Sequence, residues 1–317
     1  MAGDTTGDTS AWLARVESKL AAITQADSPF VTDASHHILI AGGKRLRPLL
    51  VDLTSQIGDG PVDQDNLDSA ALVVELTHVA SLYHDDVMDE AVLRRGVESA
   101  NLRYGNTVAI LTGDYLFARA SWLVATLGTE FVALQAETFA RMVQGQIAEF
   151  KGPATGEDEM DHYLKVLSDK TAALISTSAM FGGMVANLDA PVLAALGRFG
   201  EAMGMAFQLH DDVIDITSDA SGKSPGTDLR QGVTTLPILL LRRSEDPADK
   251  QLLASLGPGM TDEQVAETVA VLRAHPVLDQ AREVVAGYAR QADAELDILP
   301  QCAAKDALLA LTAEMTN

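Results

Sequence analysis

Leu13, Val16, Leu20 and Ile23 recur at steps of three and four residues, the spacing that gathers apolar side chains on one face of an α-helix. The same rhythm returns in Leu67, Ala71, Val74, Thr77 and His78 and runs into Ser81 and Leu82. Convincing strand-like alternation is absent. Breakers fall between the apolar blocks, at Gly58-Asp59-Gly60-Pro61, Gly152-Pro153, Ser221-Gly222-Lys223-Ser224-Pro225-Gly226 and Gly257-Pro258-Gly259, and read as helix connections. Three segments, Ala71–Leu82, Val108–Leu116 and Leu196–Leu209, are apolar over more than one face. Such helices belong in the middle of a large bundle. The pattern predicts an all-α chain with a disordered tail over 1–9 and one domain over 10–317, its central layer wrapped by outer helices. No fixed-period repeat or heptad run interrupts this reading.

Composition narrows the function. The chain has 317 residues, 47% of them hydrophobic, and a formal net charge of −22. A chain this acidic repels nucleic acid and anionic lipid in bulk. An anionic substrate therefore needs a local cluster of cations or metal. A single cysteine, Cys302, excludes an internal disulfide and suits a reducing cytoplasm. The first residues lack the basic start and apolar run of a signal peptide. No run of eighteen apolar residues is free of charge, so no membrane span is predicted.

Two acidic constellations stand out. They are His84-Asp85-Asp86-Val87-Met88-Asp89-Glu90 and His210-Asp211-Asp212-Val213-Ile214-Asp215. Each carries aspartates at relative positions 0, 1 and 4. On a helix, positions 0 and 4 project within about 40° of each other, so Asp85 pairs with Asp89 and Asp211 with Asp215. Both clusters end apolar helices. Two carboxylates about 4 Å apart repel by roughly 4 kcal/mol at an effective dielectric near 20, and a hard divalent cation removes that cost. Mg²⁺ suits a few carboxylates completed by water and phosphate oxygens. Two clusters facing each other across a cavity would hold several metals around one diphosphate. One such cluster reads equally well as a solvated helix end, and its repetition favours the metal reading.

Cations are scarce, which makes their clusters informative. Gly42-Gly43-Lys44-Arg45-Leu46-Arg47-Pro48 packs three into four residues behind two glycines. Arginine offers phosphate a fork of donors, and lysine a point charge. Arg94-Arg95-Gly96 follows the first aspartate cluster, Lys223 follows the second, and Lys170-Thr171 lies between them in sequence. Any one of these alone reads as a surface charge. Their placement beside both aspartate clusters favours phosphate binding.

Taken in order, these residues resemble the trans-type polyprenyl diphosphate synthase family. The resemblance runs from about Gly42 to Pro237. It rests on Gly43-Lys44-Arg45-Leu46-Arg47-Pro48, Glu75 with His78, Ser81 to Asp89, Arg94-Arg95-Gly96, Gly113-Asp114, Lys170-Thr171, Phe207-Gln208 before the second cluster, Gly222-Lys223, Asp228 and Thr235-Leu236-Pro237. It implies about ten core helices around a deep central cavity, usually paired as a homodimer. It also implies roles. Asp85, Asp89 and Asp211 would ligate Mg²⁺, three ions per site with Mn²⁺ as a substitute, and Asp86, Asp212 and Asp215 would support them. Lys44, Arg47, His78 and Arg95 would hold isopentenyl diphosphate. Arg94, Lys170 and Lys223 would hold the allylic diphosphate, and Thr171 and Gln208 would turn oxygen dipoles toward the developing carbocation. Two places depart from the pattern. Val233 stands where the family often has a lysine, and the chain ends Ala313-Glu314-Met315-Thr316-Asn317 where short-chain members often end in basic residues.

The implied reaction condenses isopentenyl diphosphate with an allylic diphosphate to a linear all-trans chain of C30–C50. A shorter farnesyl or geranylgeranyl product, and a catalytic subunit needing a partner, stay open. A terpene cyclase shares the first cluster, but usually lacks the second and the Gly-Lys-Arg loop. Ferritin-like sites use Glu-x-x-His pairs, a pattern not found here. Product length would be set on the face leading back from Asp85. Ser81, Thr77 and Val74 share it, and Ala80 lies beside Ser81. These residues are small where short-chain relatives tend to carry aromatics at the positions of Ala80 or Ser81. Small residues also let helices pack closely, which is the alternative reading. Contact with a membrane surface during product release completes the expectations.

Overall fold

The structure, a computed structural model, describes residues 5–217, 225–257 and 259–316. In chain order its elements are α1 (Thr5–Ile23), α2 (Pro29–Ile40), α3 (Leu46–Ser55), α4 (Gln64–Met88), a hairpin of β1 (Leu93–Arg94) and β2 (Val97–Glu98), α5 (Ala100–Tyr104), α6 (Asn106–Leu127) and α7 (Thr129–Lys151). Then follow α8 (Glu159–Leu167), α9 (Ala173–Val185), α10 (Ala190–Thr217), α11 (Thr227–Gln231), α12 (Leu236–Arg242), α13 (Pro247–Ala254), α14 (Asp262–Arg273), α15 (Val277–Glu295) and α16 (Ala303–Ala313). The all-α expectation is borne out. The hairpin is the one departure among the described residues, and it has a local cause. Arg95 and Gly96 both take positive φ, 52° and 79°, as the two central positions of a tight hairpin turn require. Helix α1 starts at Thr5, inside the segment expected to be a tail.

Contacts within the chain divide it into two compact units. The first takes residues 1–142, 173–200 and 296–308, and the second takes 143–172, 201–295 and 309–317. The core of the first unit is built on α4. Asp63 caps that helix by accepting from the amides of Asp65 and Asn66, each at 3.0 Å, a contribution of about 1 kcal/mol. Leu67, Ala70, Ala71, Leu72, Val73, Val74, Leu76, Val79, Ala80 and Tyr83 are all buried along it, so its Ala71–Leu82 stretch is apolar over more than one face, as the sequence predicts. Helix α6 packs on it closely. A Cβ on Gly113 would lie 2.4 Å from His84 Nε2 and 3.1 Å from the Ala80 carbonyl oxygen, so only glycine permits that approach. By length and hydropathy α6 could cross a membrane. It carries Asp114 and Arg119, and Ala109, Leu116, Ala120, Leu123 and Val124 bury one side of it in the core. Helix α1 docks on α4 through the buried Asp68, which accepts from Trp12 Nε1 at 2.7 Å and pairs with Arg15 at 2.9 Å and Lys19 at 2.6 Å.

The second unit has its own core of Ile216, Leu229, Ile238, Leu241, Val265, Val269, Leu272, Val277 and Leu278. Its helix starts are chemically marked. Thr261 and Gln264 form a reciprocal capping box on α14, and Asp246 caps α13. Residues Ser168–Ala172 form a turn of π-helix leading into α9, an irregularity often found at functional positions. It holds both Lys170 and Thr171.

Candidate active site

In the first unit, the C-terminal end of α4 presents the first aspartate cluster. Asp85 is half-buried, Asp86 fully buried and Asp89 exposed. Asp89 closes the helix, its amide donating to the Asp85 carbonyl at 2.8 Å. Asp85 and Asp89 thus stand one turn apart, as the spacing predicts. Asp86 turns inward, where its Oδ1 accepts from Arg94 Nε at 2.6 Å. Its Oδ2 is buried without a hydrogen-bond partner. Arg94, expected on the allylic diphosphate, therefore also braces the first cluster. Among the described residues no three carboxylate, imidazole or thiol groups converge as a metal site. The donor set, oxygen only, with one orphaned carboxylate oxygen, fits a hard divalent ion.

The expected isopentenyl diphosphate residues are brought together in the same unit. Gly42 and Gly43 take φ of 90° and 148° and Arg45 takes 49°, so the loop reaches α3 through a left-handed turn that glycine makes easy. Lys44 is exposed and Arg47 half-buried in the first turn of α3, with Arg47 Nε lacking any hydrogen-bond partner. Burial lowers the Arg47 pKa to about 10, with Arg95 adding to the fall and Glu75 opposing it. Burial also pushes the His78 imidazole well below its usual value, and Arg47, Arg95, Arg45 and Arg94 push it the same way. These electrostatic couplings mark one basic cradle, and an uncharged imidazole within it can donate or accept but adds no charge. Arg95 donates from Nη1 to the Ile38 carbonyl at 3.2 Å.

Sequence reasoning missed what holds the cradle. Arg45, the middle cation of the triplet, is buried in ion pairs with Glu17 and with Glu75, the latter at 2.6 Å. Glu75 stands beside His78 in the family resemblance but is given no role there, and nothing in the sequence pairs it with Arg45.

In the second unit, α10 ends in the other cluster. Asp211 and Asp215 are half-buried and Asp212 is buried. Asp212 Oδ2 accepts from the Tyr163 hydroxyl and from the Leu236 amide, the second at 2.8 Å. Burial raises its pKa to about 7, against the pull of those two hydrogen bonds. No motif in the sequence pointed to Tyr163. Asp215 organises the chain beyond it, its carbonyl accepting from Gly226 at 2.8 Å and its Oδ2 from the Asp228 amide at 3.2 Å. Lys170 pairs with Glu149, and Thr171 donates to Gln208 Oε1 at 3.5 Å, so these two expected dipoles do meet. A Cβ on Gly145 would lie 2.7 Å from the Lys170 amide nitrogen, and that glycine lets α7 meet the π turn. Gln208, Asp212, Tyr163, Thr235 and Val233 line a cavity of about 440 Å³ within this unit. Lys223 lies outside the described residues.

The product-length residues are in the first unit. Thr77 and Ala80 are buried and Ser81 half-buried. Ser81 Oγ donates to the His78 carbonyl at 2.8 Å, and Thr77 Oγ1 accepts from Gln135 Nε2 at 3.4 Å. The close approach of α6 beside Ala80 gives its small size a packing reason as well.

Comparison with known proteins agrees with this chemistry. The polyprenyl synthetase family profile matches residues 28–272. A nonaprenyl diphosphate synthase of Mycobacterium tuberculosis is 47% identical over 305 residues, covering 95% of this chain and 90% of that protein. Among solved structures, a geranylgeranyl pyrophosphate synthase from Corynebacterium glutamicum, complexed with calcium and isoprenyl diphosphate, is 41% identical with a TM-score of 0.88, covering 100% of this chain and 98% of the other. A decaprenyl diphosphate synthase from Rhodobacter capsulatus is 29% identical with a TM-score of 0.86, covering 98% and 97%. With two D-x-x-x-D helix ends, a basic cradle and these relatives, the chain belongs to the polyprenyl synthetase family, and its features fit a prenyl transferase of the long-chain trans type.

Proposed function

We propose that this chain joins isopentenyl diphosphate to an allylic diphosphate, repeatedly, to give a linear all-trans diphosphate of C30–C50. The observation that carries the reading is the pair of D-D-x-x-D helix ends in a chain whose scarce cations gather at Lys44, Arg47 and Arg95. Asp85, Asp89 and Asp211 hold Mg²⁺, with Asp86, Asp212 and Asp215 behind them. Bound there, the metal neutralises the leaving diphosphate.

The remaining chemistry falls to the chain's own side chains. Arg94, Lys170 and Lys223 hold the allylic diphosphate and share its charge as the allylic C–O bond breaks and the electron pair leaves with it. Thr171 and Gln208 turn oxygen dipoles toward the carbocation, and apolar helices keep water from it. Lys44, Arg47, His78 and Arg95 hold isopentenyl diphosphate, whose double bond attacks to form the new C–C bond. A proton is then lost, and the released diphosphate is its acceptor, since no side chain stands out as a dedicated base.

Residues 10–317 act as one catalytic domain, a reading supported by the family match running through residues of both units, and the single cysteine fits a reducing cytoplasm. The working form is a homodimer. Ile110, Leu111 and Trp122 stand exposed on α6 at 42%, 60% and 58%, apolar surface that a second copy would cover. A C15–C20 product is the second reading, favoured by the similarity to the geranylgeranyl synthase. The test is turnover of labelled isopentenyl diphosphate with farnesyl diphosphate, with and without Mg²⁺. Incorporation that requires both the primer and the metal is expected. Release of a cyclic hydrocarbon, or no incorporation, overturns the reading.

A further inference from the structure

We infer that Glu75 is a positioning residue for isopentenyl diphosphate, holding the basic cradle in shape although its own charge repels the substrate. The inference rests on the reading of Lys44, Arg47, His78 and Arg95 as that substrate's site.

The starting point is a cost. Glu75 is 2% exposed, a buried carboxylate beside a place meant for an anion. A carboxylate there weakens the attraction that the arginines supply. The geometry shows what it does in return. Its Oε1 pairs with Arg45 Nη1 at 2.6 Å and stands 3.8 Å from Arg95 Nη2. Each guanidinium has a second anchor on the chain end of α2. Arg45 Nη2 donates to the Leu39 carbonyl at 2.7 Å, and Arg95 Nη1 to the Ile38 carbonyl at 3.2 Å. Glu17 of α1 closes the remaining side of Arg45. The Arg45 side chain is 6% exposed, so its forks are turned to the protein. It is the brace of the Lys44-Arg45-Leu46-Arg47 run.

The glycine loop lies directly on these two guanidiniums. A Cβ on Gly43 would stand 3.1 Å from Arg95 Cζ and Nη2 and 3.4 Å from Arg45 Nη1. The path of the loop, and with it the position of Lys44, therefore follows where Glu75 holds the two arginines. Arg45 and Arg95 also keep positive φ, 49° and 52°, a backbone state that costs a residue with a side chain and persists where its surroundings enforce it. One carboxylate thus sets the shape of two left-handed turns.

Two roles for Glu75 predict opposite signs. As a charge that only offsets the arginines, its removal strengthens the cationic field and tightens isopentenyl diphosphate. As a positioning residue, its removal loosens both guanidiniums and weakens binding. The measurement is titration calorimetry of the full chain with isopentenyl diphosphate, with KM for both substrates read alongside. Glu75→Gln removes the charge at constant shape, and Glu75→Asp keeps the charge but draws the carboxylate back by one methylene. Both variants are expected to raise the Kd and KM for isopentenyl diphosphate about tenfold or more, with the KM for the allylic primer changed less than about twofold. Tighter or unchanged binding in Glu75→Gln overturns the inference. So does an equal loss of both substrates in both variants, which marks a general structural role. A wild-type chain that binds no isopentenyl diphosphate overturns the site reading itself and the inference with it.

Discussion

At the scale of single residues, the aspartates divide by direction. Asp86 and Asp212 turn into the protein and find Arg94, Tyr163 and the Leu236 amide, while Asp85 and Asp211 are half-buried. Asp85→Ala and Asp211→Ala are each expected to lower kcat on the order of a thousandfold with the helical circular dichroism spectrum unchanged. Near-normal turnover in either variant, or turnover in excess chelator, contradicts the metal assignment. Arg95→Ala is expected to raise KM for isopentenyl diphosphate by roughly ten- to a hundredfold, the worth of a charge-assisted hydrogen bond, and to move the allylic KM less. The reverse ranking reassigns the cradle. His78 adds a pH signature. Its folded pKa lies well below the usual 6.5, through burial and then Arg47, Arg95, Arg45 and Arg94, with Glu75 the acid beside those arginines. As pH falls below about 6.5 the unfolded chain takes up a proton that the folded chain refuses, so stability falls. Asp212, raised to about 7, acts in the opposite sense over the same range, so the readout is a difference: between pH 7.5 and 5.5 the urea midpoint of the wild type is expected to fall relative to that of His78→Gln. Equal slopes remove His78 from that account.

The aspartates and the exposed or cradle cations were legible in the sequence because their spacing is local: a step of four residues on one helix, or three cations in four positions. The pairings that brace them were not. Glu75 meets Arg45 from 30 residues away, Tyr163 meets Asp212 from 49, and Glu17 meets Arg45 from 28. Only the packed chain places such pairs together.

At the scale of elements, periodicity identified α4, α6 and α10 as helices apolar on more than one face, and all three are helical. The small hairpin and the π turn escaped it, since two-residue strands and one irregular turn carry no period. Yet these two elements position Arg94, Arg95, Lys170 and Thr171. Structure also sharpens the product-length test. Ala80 is fully buried where α6 packs closest, so Ala80→Phe is expected to cost about 1–3 kcal/mol of stability through overpacking. Ser81 is only half-buried, and Ser81→Phe is the cleaner probe. It is expected to shorten the product by at least one isoprene unit while the thermal midpoint stays near that of the wild type. An unchanged product in a folded Ser81→Phe removes this face of α4 from length control.

For the whole molecule, a net charge of −22 confines diphosphate binding to the few places where cations gather. The exposed apolar residues of α6 carry the dimer proposal, and light scattering at micromolar concentration is expected to give twice the 33.6 kDa chain mass. A fully active monomer contradicts it. The central claim is chain elongation to a long product, and product analysis tests it most directly. The full chain is incubated with Mg²⁺, farnesyl diphosphate and excess isopentenyl diphosphate, and the dephosphorylated products are sized by reversed-phase chromatography and mass spectrometry. The account predicts linear all-trans prenols between C30 and C50; a wild-type product that stops at C15 or C20 contradicts it.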